Sequence, residues 1–409
     1  MENNKIFGRD FTLVVIGQII SLFGNAILRF ALPLYLLKMT GSAALFGAVT
    51  ACSFLPMIVM SLLGGVLADR VNKRNIMVVL DFITAGIICV LVFLLDIVPL
   101  VPLLIVALML LYGISGTYQP AVQASVPALV GEAKLLRAGA VINQVGALAS
   151  LLGPMLGGVL FKAFGIVPIL AISIVCFAAS AIMEIFIRIP HVKIPDKRGI
   201  LQIVSGDLRE SFQYMRREKP VLIKIILLIA AFNFALSSMM IVGIPVLLVE
   251  ILKIDDGLFG LSQGIMALGG LFGGILTAAL GDRLKYKSSR FLLLGCSICA
   301  GTMALPFLFP AESMTAYIII TAASFAIMTL ATIFSVQTIA IIQKSTPPRL
   351  VGKVIACAMA LAMCAQPLGQ AIYGLAFEKL ASCPGIILLL AAISALAMCA
   401  ASAKLFAED

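Results

Sequence analysis

The sequence predicts an all-α membrane protein whose twelve transmembrane helices form two pseudo-repeated halves of six. Three observations predict it. Hydrophobic residues make up 62% of the chain and the mean hydropathy is +1.15; apolar runs of membrane-spanning length recur along all 409 residues; and several landmarks return after about 213 positions. Soluble domains hold roughly 45–50% apolar residues, so composition alone removes the chain from that class. A β-barrel would need alternating segments of about ten residues, whereas these runs are longer and do not alternate.

Each run approaches the ~20 residues that a helix needs to cross a hydrocarbon core of ~30 Å. In order they fall at about 11–37, 42–66, 75–95, 101–122, 138–161 and 166–187, then at about 221–249, 258–280, 291–309, 314–336, 354–376 and 383–403. The first is flanked by Lys5 and Arg9 and contains Gln18, Asn25 and Arg29; its length and polarity fit a retained helix and not a cleaved signal peptide. Between the sixth and seventh runs lies the longest polar segment, residues 188–220, which divides an N-terminal half (1–187) from a C-terminal half (221–409). Within it Leu201, Val204, Leu208, Phe212 and Met215 recur at helical spacing. An amphipathic helix on the inner membrane surface and a solvated linker with chance spacing both stay open.

Placing both termini in the cytoplasm puts most of the 29 lysines and arginines inside, leaving Lys38, Lys162, Lys253 and Lys379 outside, with Arg29 and Lys224 within helices. The positive-inside rule favours that topology, for a multi-pass protein of the cell's inner (plasma) membrane. The net charge of +10 is then a charge facing anionic lipid and implies no nucleic-acid partner. Nine cysteines lie mostly within apolar runs, and "CSIC" (Cys296, Cys299) in such a setting reads as small-residue packing. With His191 as the single histidine, a histidine-based metal or catalytic cluster cannot be built. No metal and no cofactor are expected.

The halves repeat. Asp69-Arg70 and Asp282-Arg283 stand 213 positions apart, as do Pro154 and Pro367; Gln123 and Gln337 stand 214 apart, and Pro33 and Pro245 212. "GGVLADRVNKR", between the second and third runs, resembles the signature of the major facilitator transporters, with Gly65, Asp69, Arg70, Lys73 and Arg74 on matching positions and Asn72 where that family usually has glycine. Asn tolerates the left-handed backbone expected of such a turn. Gly64 and Gly65 are expected to let the second helix approach a neighbour closely. The resemblance implies a conformational switch made of these residues, their repeat Asp282 and Arg283, and Asp81 as a partner on the third helix.

"GALASLLGPMLGG" in the fifth run, with Gly146, Gly153, Pro154, Gly157 and Gly158, resembles the signature of antiporter and drug-export members; the eleventh run keeps Pro367 but has Gln366 and Gln370 in place of the glycines. Taken whole, the chain is similar to the bacterial macrolide-efflux-type and siderophore-export-type members. In that family the first, fourth, seventh and tenth helices line a central cavity, with the fifth and eleventh beside them.

The polar residues match this plan. Gln18, Leu22, Asn25 and Arg29 share one face of the first helix; the fourth offers Tyr112, Ser115 and Gln119, the seventh Asn233 and Ser237, and the eleventh Met359, Met363, Gln366, Gln370 and Tyr373. The third, sixth, ninth and twelfth read as nearly plain hydrocarbon, and Glu184 and Lys224 as interfacial. A guanidinium at the position of Arg29 costs ~2.5–3.5 kcal/mol or more unless paired or hydrated; a cavity cation and a snorkelling or structurally paired residue are equal readings.

The resemblance therefore implies a secondary active transporter, a monomer in membrane lipid, that exports small amphiphilic molecules by alternating access in exchange for protons. A facilitator or importer of an anionic, siderophore-like metabolite stays open, as does a lipid flippase. Asp81 is a possible proton carrier. No phosphate-binding loop supports direct ATP drive, and no acid–base pair or nucleophile set within the helices supports an enzyme.

Overall fold

The computed structural model describes residues 8–130, 134–189, 200–280, 288–309, 311–347 and 350–405. The apolar runs become helices, since in hydrocarbon every backbone N–H and C=O must be satisfied within its own segment. They are α1 (Arg9–Thr40), α2 (Ala43–Arg70), α3 (Lys73–Leu94), α4 (Leu100–Leu129), α5 (Leu135–Phe164), α6 (Ile166–Ile185), α7 (Ile200–Arg217), α8 (Pro220–Ile251), α9 (Asp256–Leu280), α10 (Ser289–Leu308), α11 (Ser313–Ser345), α12 (Val351–Met363), α13 (Ala365–Lys379) and α14 (Pro384–Leu405). Among the described residues there is no strand, and twelve segments are long and apolar enough to span a bilayer, α12 and α13 together forming one of them.

The chain forms two compact units, Met1–Leu36 with Cys52–Val204, and Leu37–Ala51 with Ser205–Asp409. In the first, α3 packs on α6 and on α4, and α2 meets α4 so closely that a Cβ on Gly116 would stand 2.6 Å from the Met57 carbonyl oxygen. In the second, α10 packs on α14 and on α11, and a Cβ on Gly273 of α9 would stand 2.5 Å from the Thr329 carbonyl oxygen of α11. Third with sixth and second with fourth is thus the packing plan inside each unit, the structural counterpart of the repeated landmarks. The end of α1 and the start of α2 belong to the second unit. There Lys38 pairs with Asp256 at 2.7 Å, and the Glu378 carboxylate accepts from the Ser42 hydroxyl (3.1 Å) and the Ala44 N–H (3.2 Å), capping α2.

The polar segment before α8 is helical over Ile200–Arg217. Its C-terminal end is built into the second unit: Tyr214 and Met215 are buried against Leu222, Ile225, Ile341 and Val354, and the Tyr214 hydroxyl donates to the Ser345 carbonyl at 2.9 Å. Lys353 of α12 pairs with both Asp207 (2.8 Å) and Glu210 (2.7 Å).

Two irregularities shape the second unit. Over Asn233–Ser237, Met239–Gly243 and Val246–Ile251, α8 widens to π-helical turns, a form that tends to mark functional positions. Beside it the span of α12 and α13 is interrupted at Cys364. The cause is Pro367, which has no N–H for the Met363 carbonyl and whose ring crowds that carbonyl.

Candidate functional site

The signature between α2 and α3 comes first along the chain. Asn72 has φ −59° and ψ 118° and its side chain accepts from the Arg74 N–H at 3.0 Å. This corrects the expectation of a left-handed turn: Asn72 is the N-cap of α3, a role for which Asn is among the best residues. Gly64 meets Thr117 of α4, its added Cβ falling 2.8 Å from the Thr117 Cα, whereas Gly65 faces open space; only the first of the two serves close packing. Arg70, Lys73 and Arg74 are half-buried. The Asp69 side chain, Asp282, Arg283 and His191 lie outside the described residues.

In the fifth-helix signature, Pro154 sits inside an unbroken α5. A Cβ on Gly153 would overlap Ala26 of α1 and one on Gly157 would stand 2.9 Å from the Phe30 ring, while Gly146 faces open space. The motif therefore acts in the first unit as a groove that seats α1 against α5.

Of the expected cavity residues in this unit, Asn25, Arg29, Tyr112 and Ser115 are brought together around a small cavity of about 20 Å³, with Ser21, Asp81, Thr84 and Tyr118. That is room for about one water molecule. The Arg29 guanidinium lies 4.1 Å from the centroid of the Tyr112 ring, a cation–π contact worth about 0.5–2 kcal/mol depending on desolvation. Tyr112 is held in turn by Phe54 at 5.7 Å, and the Asn25 amide reaches the Ser115 hydroxyl at 3.5 Å. Leu22 instead packs into the apolar cluster around Phe11, Val14 and Tyr118, and Gln119 is half-buried outside the cavity lining.

Gln18 and Asp81 join a buried polar cluster that periodicity did not reveal. The Ser21 hydroxyl donates to Asp81 Oδ1 (3.2 Å), the Gln18 amide donates to the Tyr118 hydroxyl (2.9 Å), and that hydroxyl donates to Glu184 Oε1 (2.7 Å). Ser180 stands beside the Asp81 carboxylate and donates to the Gly17 carbonyl at 3.1 Å. Glu184, expected at the interface, is fully buried, and Asp81 is 2% exposed. The expectation of plain hydrocarbon on the third and sixth helices is likewise corrected: α3 buries Asp81 and Thr84, and α6 buries Ser173, Ser180 and Glu184. Positions 173, 180 and 184 share one face of α6, and that spacing was the available signal.

In the second unit the carbonyls around the α12–α13 break are taken up by α8. The Asn233 amide donates to Ala362 O at 3.2 Å and the Ser238 hydroxyl to Gln366 O at 2.9 Å; Ser237 donates to Asn233 Oδ1 at 3.3 Å. Gln366 is buried, and Gln370 is fully buried with neither amide atom hydrogen-bonded. Met359, Met363 and Tyr373 are half-buried, the last with its ring tilted 33° to that of Phe377 at a centroid distance of 6.4 Å. Ser238, absent from the sequence-based set, ties α8 to α13 more directly than Ser237.

Comparison with known proteins bears on this arrangement. The Major Facilitator Superfamily profile matches residues 14–372. Macrolide efflux protein A of Streptococcus pyogenes is 25% identical over 390 residues, covering 93% of this chain and 92% of that protein. Enterobactin exporter EntS of Salmonella choleraesuis is 28% identical over 241 residues, covering 58% of this chain and 52% of the exporter. The crystal structure of the nucleoside transporter NupG superposes with a TM-score of 0.80 at 11% identity, covering 97% of this chain and 99% of that one, a likeness of fold alone. The chain belongs to the Major Facilitator Superfamily and is a multi-pass membrane transporter, not an enzyme.

Proposed function

We propose that this transporter exports small amphiphilic molecules, drug- or metabolite-like, across the plasma membrane by alternating access and in exchange for protons, with both termini in the cytoplasm. The observation that carries the reading is the similarity to a macrolide efflux protein over nearly the full length of both chains. Two features support it. Polar side chains sit at an irregular stretch of α8 and at a proline break, where a helix bends most readily, and methionine, tyrosine and glutamine line the same stretch of α12 and α13, surfaces that adapt to varied ligands. We assign substrate contact to Asn25, Arg29, Tyr112 and Ser115 in the first unit and to Asn233, Ser237, Gln366 and Gln370 in the second. Gly65, Asp69, Arg70, Lys73 and Arg74 are assigned to conformational switching.

A second reading, transport of an anionic, siderophore-like metabolite, is favoured by Arg29. Its guanidinium rests on an aromatic face and, among the described residues, has no carboxylate within ion-pairing distance. Cells expressing the chain are expected to extrude fluorescent amphiphiles faster than cells lacking it, and equal retention in both would contradict export. Arg29→Ala decides the charge: a loss confined to anionic compounds supports the second reading, and full retention of every anionic compound removes it.

A further inference from the structure

The polar cluster of the first unit has an unbalanced set of hydrogen-bonding groups. Its hydroxyl protons are few: Ser21 donates to Asp81 Oδ1 and Tyr118 to Glu184 Oε1, while Ser180 donates to the Gly17 carbonyl from a position beside the Asp81 carboxylate. Three buried oxygens remain without any donor, namely Asp81 Oδ2, Glu184 Oε2 and Gln18 Oε1. Gln18 and Glu184 are 0% exposed and Asp81 is 2% exposed. Acceptors are in excess, and the missing partner is a donor.

A metal cation would be a poor fit, since hard cations take about six or more oxygens and three are unpartnered here. No lysine or arginine lies within ion-pairing distance of either carboxylate among the described residues. A proton meets the need at the least cost in space: bound to one carboxyl oxygen, it removes one acceptor and creates one donor, and it discharges a group for which burial is expensive. We propose that Asp81 and Glu184, linked through Ser21, Tyr118 and Gln18, form a proton-binding site inside the first unit, one carboxyl holding a proton in the state described here.

The surroundings give the site two ends. Asp81 lines the small cavity with Arg29 and Tyr112. Four residues beyond Glu184, Arg188 lines an open cleft of about 370 Å³ together with Asn72, Arg74 and Ile189, and its backbone N–H donates to Asp10. The titratable or charged groups around the site are Arg29 from α1 and Tyr112 and Tyr118 from α4, with Arg74 and Arg188 lining the cleft and Asp10 beside Arg188.

The role of the site in coupling rests on the proton-exchange reading; its protonation does not. Infrared difference spectra of the full chain in lipid, titrated from acid to alkaline pH without substrate, test the protonation directly. The wild type is expected to show a carboxylic-acid C=O band that persists above the range of solvent-exposed carboxyls. Asp81→Asn and Glu184→Gln should each lose or diminish it, and Tyr118→Phe, which keeps both carboxyls, should shift its frequency. A missing band, a band unchanged in all three variants, or a band displaced by sodium ions at constant pH overturns the proposal. Should a carboxyl variant fail to fold, the presence or absence of the Tyr118→Phe shift decides. Substrate-driven proton flux separates the two readings: the expected band without flux in the wild type retires exchange and keeps the site, whereas wild-type flux in the Asp81→Asn, Glu184→Gln double variant retires the site's role in coupling and keeps exchange.

Discussion

At the scale of single residues, Gln370 carries a cost to the fold. A buried amide with neither atom hydrogen-bonded costs about 1–3 kcal/mol relative to a satisfied or apolar group. Gln370→Leu keeps the approximate volume and removes that penalty. It is expected to raise the thermal unfolding temperature of the substrate-free protein while lowering transport, as checked by a melting curve and an extrusion assay on the same preparation. A lower unfolding temperature would mean that the amide has a structural partner. Asn72 and Glu184 show why residue roles were only partly legible in the sequence. The charge-dense signature was plain, but whether Asn72 supplies a left-handed turn or a cap depends on one dihedral angle that both roles allow its side chain to tolerate. Glu184, next to the end of an apolar run, looks interfacial until Tyr118, 66 positions away, is seen to donate to it.

At the scale of elements, the twelve spans were legible because hydrocarbon imposes one length and one hydrogen-bonding solution on every crossing segment. Irregularities within spans were less so. Pro367 announces a break in the span of α12 and α13, yet nothing in the periodicity announces that Asn233 and Ser238 of α8 will take up carbonyls beside it. Pro367→Ala restores the N–H that the Met363 carbonyl lacks. It is expected to stabilise the helix by up to about 3 kcal/mol and to slow transport, if bending at this point is part of the cycle. Unchanged transport with raised stability would make the break a packing feature. For α7, helical spacing was readable, but the burial of Tyr214 and Met215 against α8, α11 and α12 was not, since an amphipathic face does not say whether lipid or protein covers it. Lys353 joins α7 through carboxylates that are about 40% exposed, so Lys353→Ala is expected to cost no more than about 1 kcal/mol in a denaturation midpoint.

At the scale of the whole molecule, the repeated landmarks in the sequence and the repeated packing inside each unit describe one duplicated six-helix plan. Membership of the superfamily follows from a match over residues 14–372, while the proposed substrate contacts and proton coupling rest on a handful of polar side chains. The most direct test of proton-coupled export uses inside-out vesicles containing the full chain and a pH-sensitive dye. A proton gradient is imposed, and cationic, neutral and anionic amphiphiles are added in turn. The account predicts that a subset of these compounds releases protons from the vesicles and that empty vesicles show no such response; folded protein that leaves the gradient unchanged for every compound would contradict it.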